Sequence, residues 1–252
     1  MGFIGFPPPL LIFKDEIMVQ LPERTTVQLI KETIEKNQQR QKRSYIGASS
    51  IGDECSRKIW YAYHGYEQEL MEWKVLCAIE DGHRTEALMA KRLRDAGIEL
   101  YTEREDGKQF GFNYNEFFRG HYDGVGRGFL EAPNTWHVWE CKAKDEKFYN
   151  KLLKIIDIHG EKEALKNWNY IYYCQAVLYM HFEKLTRHYM TVAKAGGRDF
   201  IGIRTEENPK LAKALISKAE RVHKAKDPPE RAFNGKYFYK CKWCDFRKEC
   251  WK

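Results

Sequence analysis

Between residues 98 and 144 the chain changes its hydrophobic period, and this change limits the folds open to it more than any other feature. Before it, "DGHRTEALMAKRLRDAGI" (81–98) repeats with helical spacing: Ala87, Leu88, Ala90 and Leu93 form one stripe, and Gly97 closes the helix. After it come "IELYTERE", "KQFGFNY", "FFRGHYD", "VGRGFL" and "TWHVWECKA", short β-rich runs separated by Gly, Asn and Pro. These predict an antiparallel meander of four or five strands. Helical spacing returns over 144–182, with a break near Gly160, and "TRHYMTVAKA" and "RDFIGIRTE" predict two more strands. "NPKLAKALISKAERVHKAK" is a helix with Asn208 as N-cap, Pro209 in its first position and "DPPE" as its stop. "TTVQLIKETIEKNQQRQKR" (25–43) predicts a further helix near the start. The order helix, strands, helix, strands, helix specifies an α/β fold, a sheet with helices on its faces.

The chain has 252 residues, enough for one sizeable α/β domain with a small appendage, and 43% hydrophobic and 14% aromatic content to build its core. A net charge of +7 favours polyanionic partners, nucleic acid above all. No apolar run approaches the ~20 residues of a membrane span. The opening "MGFIGFPPPLLIF" is short, has no basic region and is broken by Pro7, Pro8 and Pro9, so it does not read as a signal peptide. Met18 is a candidate alternative start. Of the seven cysteines, Cys77, Cys141 and Cys174 lie inside predicted elements as small hydrophobes. Nothing suggests a secreted disulfide framework, which leaves a reducing cytoplasm as the expected setting.

"GHYDG" (120–124) and "WECKAK" (139–144) contain the residues with chemistry to offer. On a strand, Glu140 and Lys142 share a face while Cys141 points back. Asp123 ends an earlier strand, and sheet pairing can bring it beside Glu140. Two adjacent carboxylates repel unless a cation lies between them. Mg²⁺ or Mn²⁺ resolves the conflict with carboxylate oxygens, and the Cys141 carbonyl can supply another. Lys142 can position water or offset charge on a phosphoryl group. Alone, a Glu-x-Lys triplet is more simply a solvated cross-strand pair. Two further groups lie at suitable places. Gln175 and Tyr179 of "QAVLY" are four apart on one helix face, and Glu86 follows His83 by about one turn in "GHRTE". Either Glu86 or His83 can complete the metal site.

In this order, "GHRTE", "GHYDG", "ECKAK" and "QAVLY" resemble the active-site motifs of the PD-(D/E)XK nucleases. Within them they resemble the RecB-like exonuclease branch, which includes lambda-type phage exonucleases, helicase–nuclease subunits and CRISPR-associated exonucleases. The resemblance spans roughly residues 45–252. It implies a restriction-endonuclease-like core, a mixed sheet flanked by helices, in which Asp123, Glu140 and Lys142 form the catalytic triad. It places Glu86 at the first-motif carboxylate, where some members carry His, and it has Gln175 and Tyr179 hold the scissile strand.

Four other cysteines form their own pattern. Cys241 and Cys244 are spaced C-x2-C, Cys250 follows, and Cys55 in "GDECSRKIW" is the candidate fourth ligand. Spacing alone does not separate zinc, iron–sulfur and unligated thiols. The resemblance implies a 4Fe-4S cluster that staples the two ends of the domain, with Zn²⁺ as the alternative. Basic and aromatic residues alternate through 236–252, a composition suited to phosphates and unpaired bases, although most of the aromatics are expected to pack around the metal.

The expected organisation is an N-terminal extension and helix (1–43), a RecB-like nuclease core (44–235) and a C-terminal cysteine segment (236–252) closing onto Cys55. The expected function is a Mg²⁺- or Mn²⁺-dependent deoxyribonuclease acting on single-stranded DNA or DNA ends. Its setting would be the cytoplasm of a bacterial, archaeal or phage-infected cell, with a helicase or recombination protein as a possible partner. No phosphate-binding loop marks a motor in the chain itself. The rivals are a non-catalytic nucleic-acid-binding module and an RNA-directed hydrolase on the same fold.

Overall fold

The computed structural model describes residues 24–39 and 43–252. The apolar opening and Met18 lie outside them. Helix α1 (Thr26–Lys36) starts at a capping box made by Thr25 and Gln28 and stops at Asn37, short of the expected 43. Strand β1 (Ile46–Gly47), α2 (Ala48–Ile51), α3 (Ser56–Tyr63) and α4 (Trp73–Asp95) follow. Helix α4 begins well before residue 81, so the amphipathic pattern read there is its C-terminal part. Five strands come next: β2 (Glu99–Tyr101), β3 (Gly111–Asn115), β4 (Phe118–His121), β5 (Gly124–Arg127) and β6 (His137–Lys144). Helices α5 (Glu146–His159), α6 (Glu161–Trp168) and α7 (Tyr170–Glu183) occupy the long helical stretch. Gly160 makes the predicted break. A second break falls at Asn169, whose side chain caps α7 by accepting from the Ile171 and Tyr172 N–H groups. Strands β7 (Arg187–Lys194) and β8 (Phe200–Glu206) precede α8 (Pro209–Lys224), capped by Asn208 as its sequence predicts. Two single-turn helices, α9 (Tyr239–Lys242) and α10 (Arg247–Cys250), end the chain.

The expected single meander is instead divided between two sheets. Strand β4 pairs antiparallel with β3 and parallel with β1, in a small sheet of order β1-β4-β3. The chain then crosses at Tyr122 and Asp123 to begin β5 in a five-stranded sheet of order β2-β5-β6-β7-β8. In that sheet only β6 and β7 run parallel; α5, α6 and α7 form their crossover. Local periodicity reports that a run is a strand but not which strand it pairs with, hence the difference.

Helices cover both faces of the large sheet. Met89 and Ala90 of α4 pack on Trp139 and Cys141 of β6. On the other face, Val138, Met190, Val192 and Ile203 meet Tyr149, Leu152, Leu165, Val177 and Leu215 from α5 to α8. Helix α7 is buried continuously from Tyr173 to Met180 and touches both sheets. It is therefore a core helix, in which Gln175 and Tyr179 lie inside the fold. Among the described residues no helix is long and apolar enough to cross a membrane.

Candidate active site

Register brings the two key carboxylates together. Strand β5 pairs with β6 through Gly124↔Trp139 and Val125↔Val138. One step further, past the end of β5, Asp123 falls opposite Glu140. Its Oδ2 accepts a hydrogen bond from the Cys141 backbone N–H at 2.7 Å, continuing the ladder with a side chain. In a strand the N–H and C=O of one residue point to the same edge, so the Cys141 carbonyl faces the Asp123 edge too. The Cys141 side chain points to the opposite face, and burial pushes its thiol up to about 12. Only its backbone serves the site.

Lys142 bridges the pair. Its ammonium donates to Glu140 Oε2 in a short contact and lies 3.8 Å from Asp123 Oδ2. Glu140 is only 2% exposed, and its second oxygen, Oε1, is buried with no hydrogen-bond partner among the described residues. Burial pushes the Glu140 carboxyl up to about 8, with the Asp123 charge adding and Lys142 opposing. Glu86 reaches in from α4; burial, then Asp123, raises it to about 7. Burial would lower the Lys142 ammonium, but Glu140 and then Asp123 hold it above its ordinary value. Three carboxylates thus share one ammonium, and crowding of negative charge favours a proton or a cation among them. A carboxylate oxygen without a partner, in an acid-rich pocket, is the environment a hard divalent cation fits. As the side chains stand, no three His, Cys, Asp or Glu groups among the described residues converge tightly enough to hold a metal ion.

Contacts of the residues on either side of Asp123 hold it in place. The Tyr179 hydroxyl donates to the His121 carbonyl at 2.5 Å and accepts from Gln175 Nε2 at 2.7 Å. The buried Tyr122 ring precedes the aspartate, and its hydroxyl donates to Glu183 in a short contact. Gly120 is pressed against Tyr179 and Phe112: an added Cβ would lie 2.7 Å from the first ring and 2.6 Å from the second. At Gly124 it would lie 2.4 Å from the Tyr101 carbonyl oxygen. Both glycines of "GHYDG" are therefore required by close packing. The segment is a crossing between sheets, not the tight turn its composition suggests. Tyr179 is 1% exposed, with its hydroxyl turned to the chain.

One residue that the sequence reading passed over joins the site. The Tyr172 hydroxyl accepts from Lys144 Nζ at 2.7 Å, and the Lys142 ammonium lies 5.7 Å from the ring centroid. Tyr172, Gln175 and Tyr179 stand three and four apart, so the helical stripe was there to be extended by one turn. His83 is exposed, and with Glu86, Arg94, Thr102, Gln109 and Asp123 it lines a cavity of about 530 Å³ beside the carboxylates.

Cys55, Cys241, Cys244 and Cys250 all line one other cavity, of about 410 Å³, and none forms a disulfide. Burial raises the Cys244 and Cys241 thiols, and nearby Cys55 adds to both. The tail that carries three of them docks on α3: Phe246 stacks on Tyr61, and Lys240 pairs with Glu54 at 2.8 Å.

No protein-family model matches the sequence, and no curated protein matches it. Several solved structures are similar. The protein SSO0001 is 15% identical over 88% of this chain and 94% of its own, with a TM-score of 0.46. An alkaline exonuclease (LHK-Exo) from Laribacter hongkongensis is 12% identical over 76% of this chain and 90% of its own, with a TM-score of 0.49. A phage-related exonuclease from Haemophilus somnus 129PT is 13% identical over 58% and 69%, with a TM-score of 0.41. Similarity this distant leaves the chemistry to be read from the site.

Proposed function

We propose that the chain is a divalent-metal-dependent deoxyribonuclease of the PD-(D/E)XK type. The observation that carries this is the buried, unpartnered Glu140 Oε1 beside Asp123 and the Lys142 ammonium. Asp123, Glu140 and the Cys141 carbonyl would hold Mg²⁺ or Mn²⁺, with Glu86 or His83 completing the set. When bound, the cation supplies Lewis-acid stabilisation of charge on a phosphodiester and makes water more acidic. The protein's own part is positional and electrostatic. The β5–β6 register keeps the two carboxylates adjacent, the Cys141 N–H orients one of them, and Lys142 holds a positive charge between them. That ammonium offsets charge building on a phosphoryl group as water adds and the P–O bond breaks. The resemblance implies products with 5′-phosphates.

The finer reading is a RecB-like exonuclease acting on single strands or DNA ends. Its support is the order of the four motifs, together with a net charge of +7 suited to a polyanion. The four cysteines suit a 4Fe-4S cluster, or alternatively Zn²⁺; their shared cavity supports ligation of one centre.

The test is a time course on end-labelled single- and double-stranded DNA, with RNA alongside, in Mg²⁺ or Mn²⁺ and in EDTA. Cleavage is expected only with metal. Lys142→Ala is expected to lower the cleavage rate by roughly a hundredfold or more while DNA binding persists. Binding without any cleavage by the unaltered protein would identify a non-catalytic module. Preferential RNA cleavage would reassign the substrate.

A further inference from the structure

The C-terminal segment turns most of its aromatic rings outward. Tyr237 is 74% exposed, Tyr239 62% and Trp243 77%, whereas Phe246 is 2% exposed. This corrects the expectation that the tail's aromatics pack around the cysteines. The three exposed rings lie within seven residues of one another in the sequence. The Trp243 backbone N–H donates to the Tyr239 carbonyl at 3.3 Å, which places these two residues one turn apart at the two ends of α9. Cations stand among them: Lys236 lies 5.3 Å from the Tyr237 ring centroid, Arg247 5.8 Å from the same ring, and Lys242 5.6 Å from Trp243. Other tail lysines are committed to carboxylates, Lys240 to Glu54 and Lys248 to Glu69. Among the described residues Lys236 and Lys242 form no ion pair, so their charge is open to an anion lying on the rings, whereas Arg247 also lines the cysteine cavity.

We infer that this face is a docking surface for single-stranded nucleic acid, separate from the carboxylate site. Aromatic faces stack unpaired bases of any sequence, and interleaved cations neutralise the phosphates between them. A duplex hides its base faces and would use the charges alone. The inference rests on the nuclease proposal only in naming DNA as the strand.

Fluorescence anisotropy of the full chain without added Mg²⁺ or Mn²⁺ tests it, using a short labelled oligothymidylate and a labelled duplex. Trp243→Ala is expected to weaken oligothymidylate binding about fivefold or more. Trp243→Phe retains most of the affinity because it keeps a stacking face, and combining Tyr237→Ala and Tyr239→Ala with Trp243→Ala costs more. Duplex affinity changes less in each case. Unaltered binding by the triple variant overturns the inference. So does an equal loss in Trp243→Phe and Trp243→Ala, or an equal loss for duplex and single strand. A changed oligomeric state with unchanged DNA affinity also overturns it and assigns the face to a second copy of the chain. Omitting Mg²⁺ and Mn²⁺ from the binding assay separates the two proposals: failure to cleave in Mg²⁺ ends the nuclease proposal and leaves this result standing.

Discussion

At the scale of single residues, the chemistry turns on charges that compete for too little compensation. Glu140, with its carboxyl raised from an ordinary 4.5 to about 8, binds a proton more tightly in the folded chain than in the unfolded one. That contribution is complete below the unfolded value and is lost as pH rises through the folded one. Buried His188, pushed down to about 3, acts in the opposite direction, but only below its ordinary 6.5. Between pH 6.5 and 8 the metal-free protein is therefore expected to lose stability. Glu140 contributes a slope of roughly 1.4 kcal/mol per pH unit. Thermal melts in EDTA measure it. Adding Mn²⁺ or Mg²⁺ should flatten the slope, because the cation takes the place of the protons, and Glu140→Gln should remove this residue's share. Tyr179→Phe leaves the His121 carbonyl and the Gln175 amide without their partner. It is expected to cost about 1–3 kcal/mol and, through the displaced Asp123, to weaken Mn²⁺ binding; melts and calorimetric titration measure the two effects.

At the scale of elements, glycines separate packing from flexibility. Gly82 lies inside α4, and a Cβ added there would meet nothing within 4 Å. Gly82→Ala should raise stability by about 1 kcal/mol, seen as a higher melting temperature. Gly124→Ala should do the reverse, costing about 2 kcal/mol or more, because its Cβ would strike the Tyr101 carbonyl and open the β2–β5 pair that leads into Asp123. Chain order and helix spacing reveal α8 and most of α4, since Asn208, Pro209 and Gly97 punctuate them. They do not reveal that α7 is buried all round, because its surroundings come from two sheets and neighbouring helices distant in sequence.

At the scale of the whole molecule, the tail and α3 are joined from opposite ends of the chain. Phe246 on Tyr61, Lys240 with Glu54 and the cavity shared by four cysteines make that junction. If the cysteines ligate one centre, it closes a long loop, and its loss frees both ends. Cys55→Ser is then expected to reduce bound metal and lower stability by roughly 2–5 kcal/mol, the range for removing a native crosslink. Metal analysis and melting measure both. A brown colour with a broad visible band would identify iron–sulfur, since a zinc site is colourless.

Strand parity puts Glu140 and Lys142 on one face, and the alternation of periods announces the sheet, whereas the grouping of Asp123 with them as a triad is what the motif resemblance implies. The amino-acid order also states where helices start and stop, since caps and breakers act within a few residues. It does not state that the strand run divides into two sheets, that Gly120 and Gly124 serve contact instead of a turn, or that the Tyr179 hydroxyl is turned onto the His121 carbonyl. Nor does it tell which tail aromatics are buried. Those outcomes depend on which distant segments meet, and that is settled by packing the entire core at once.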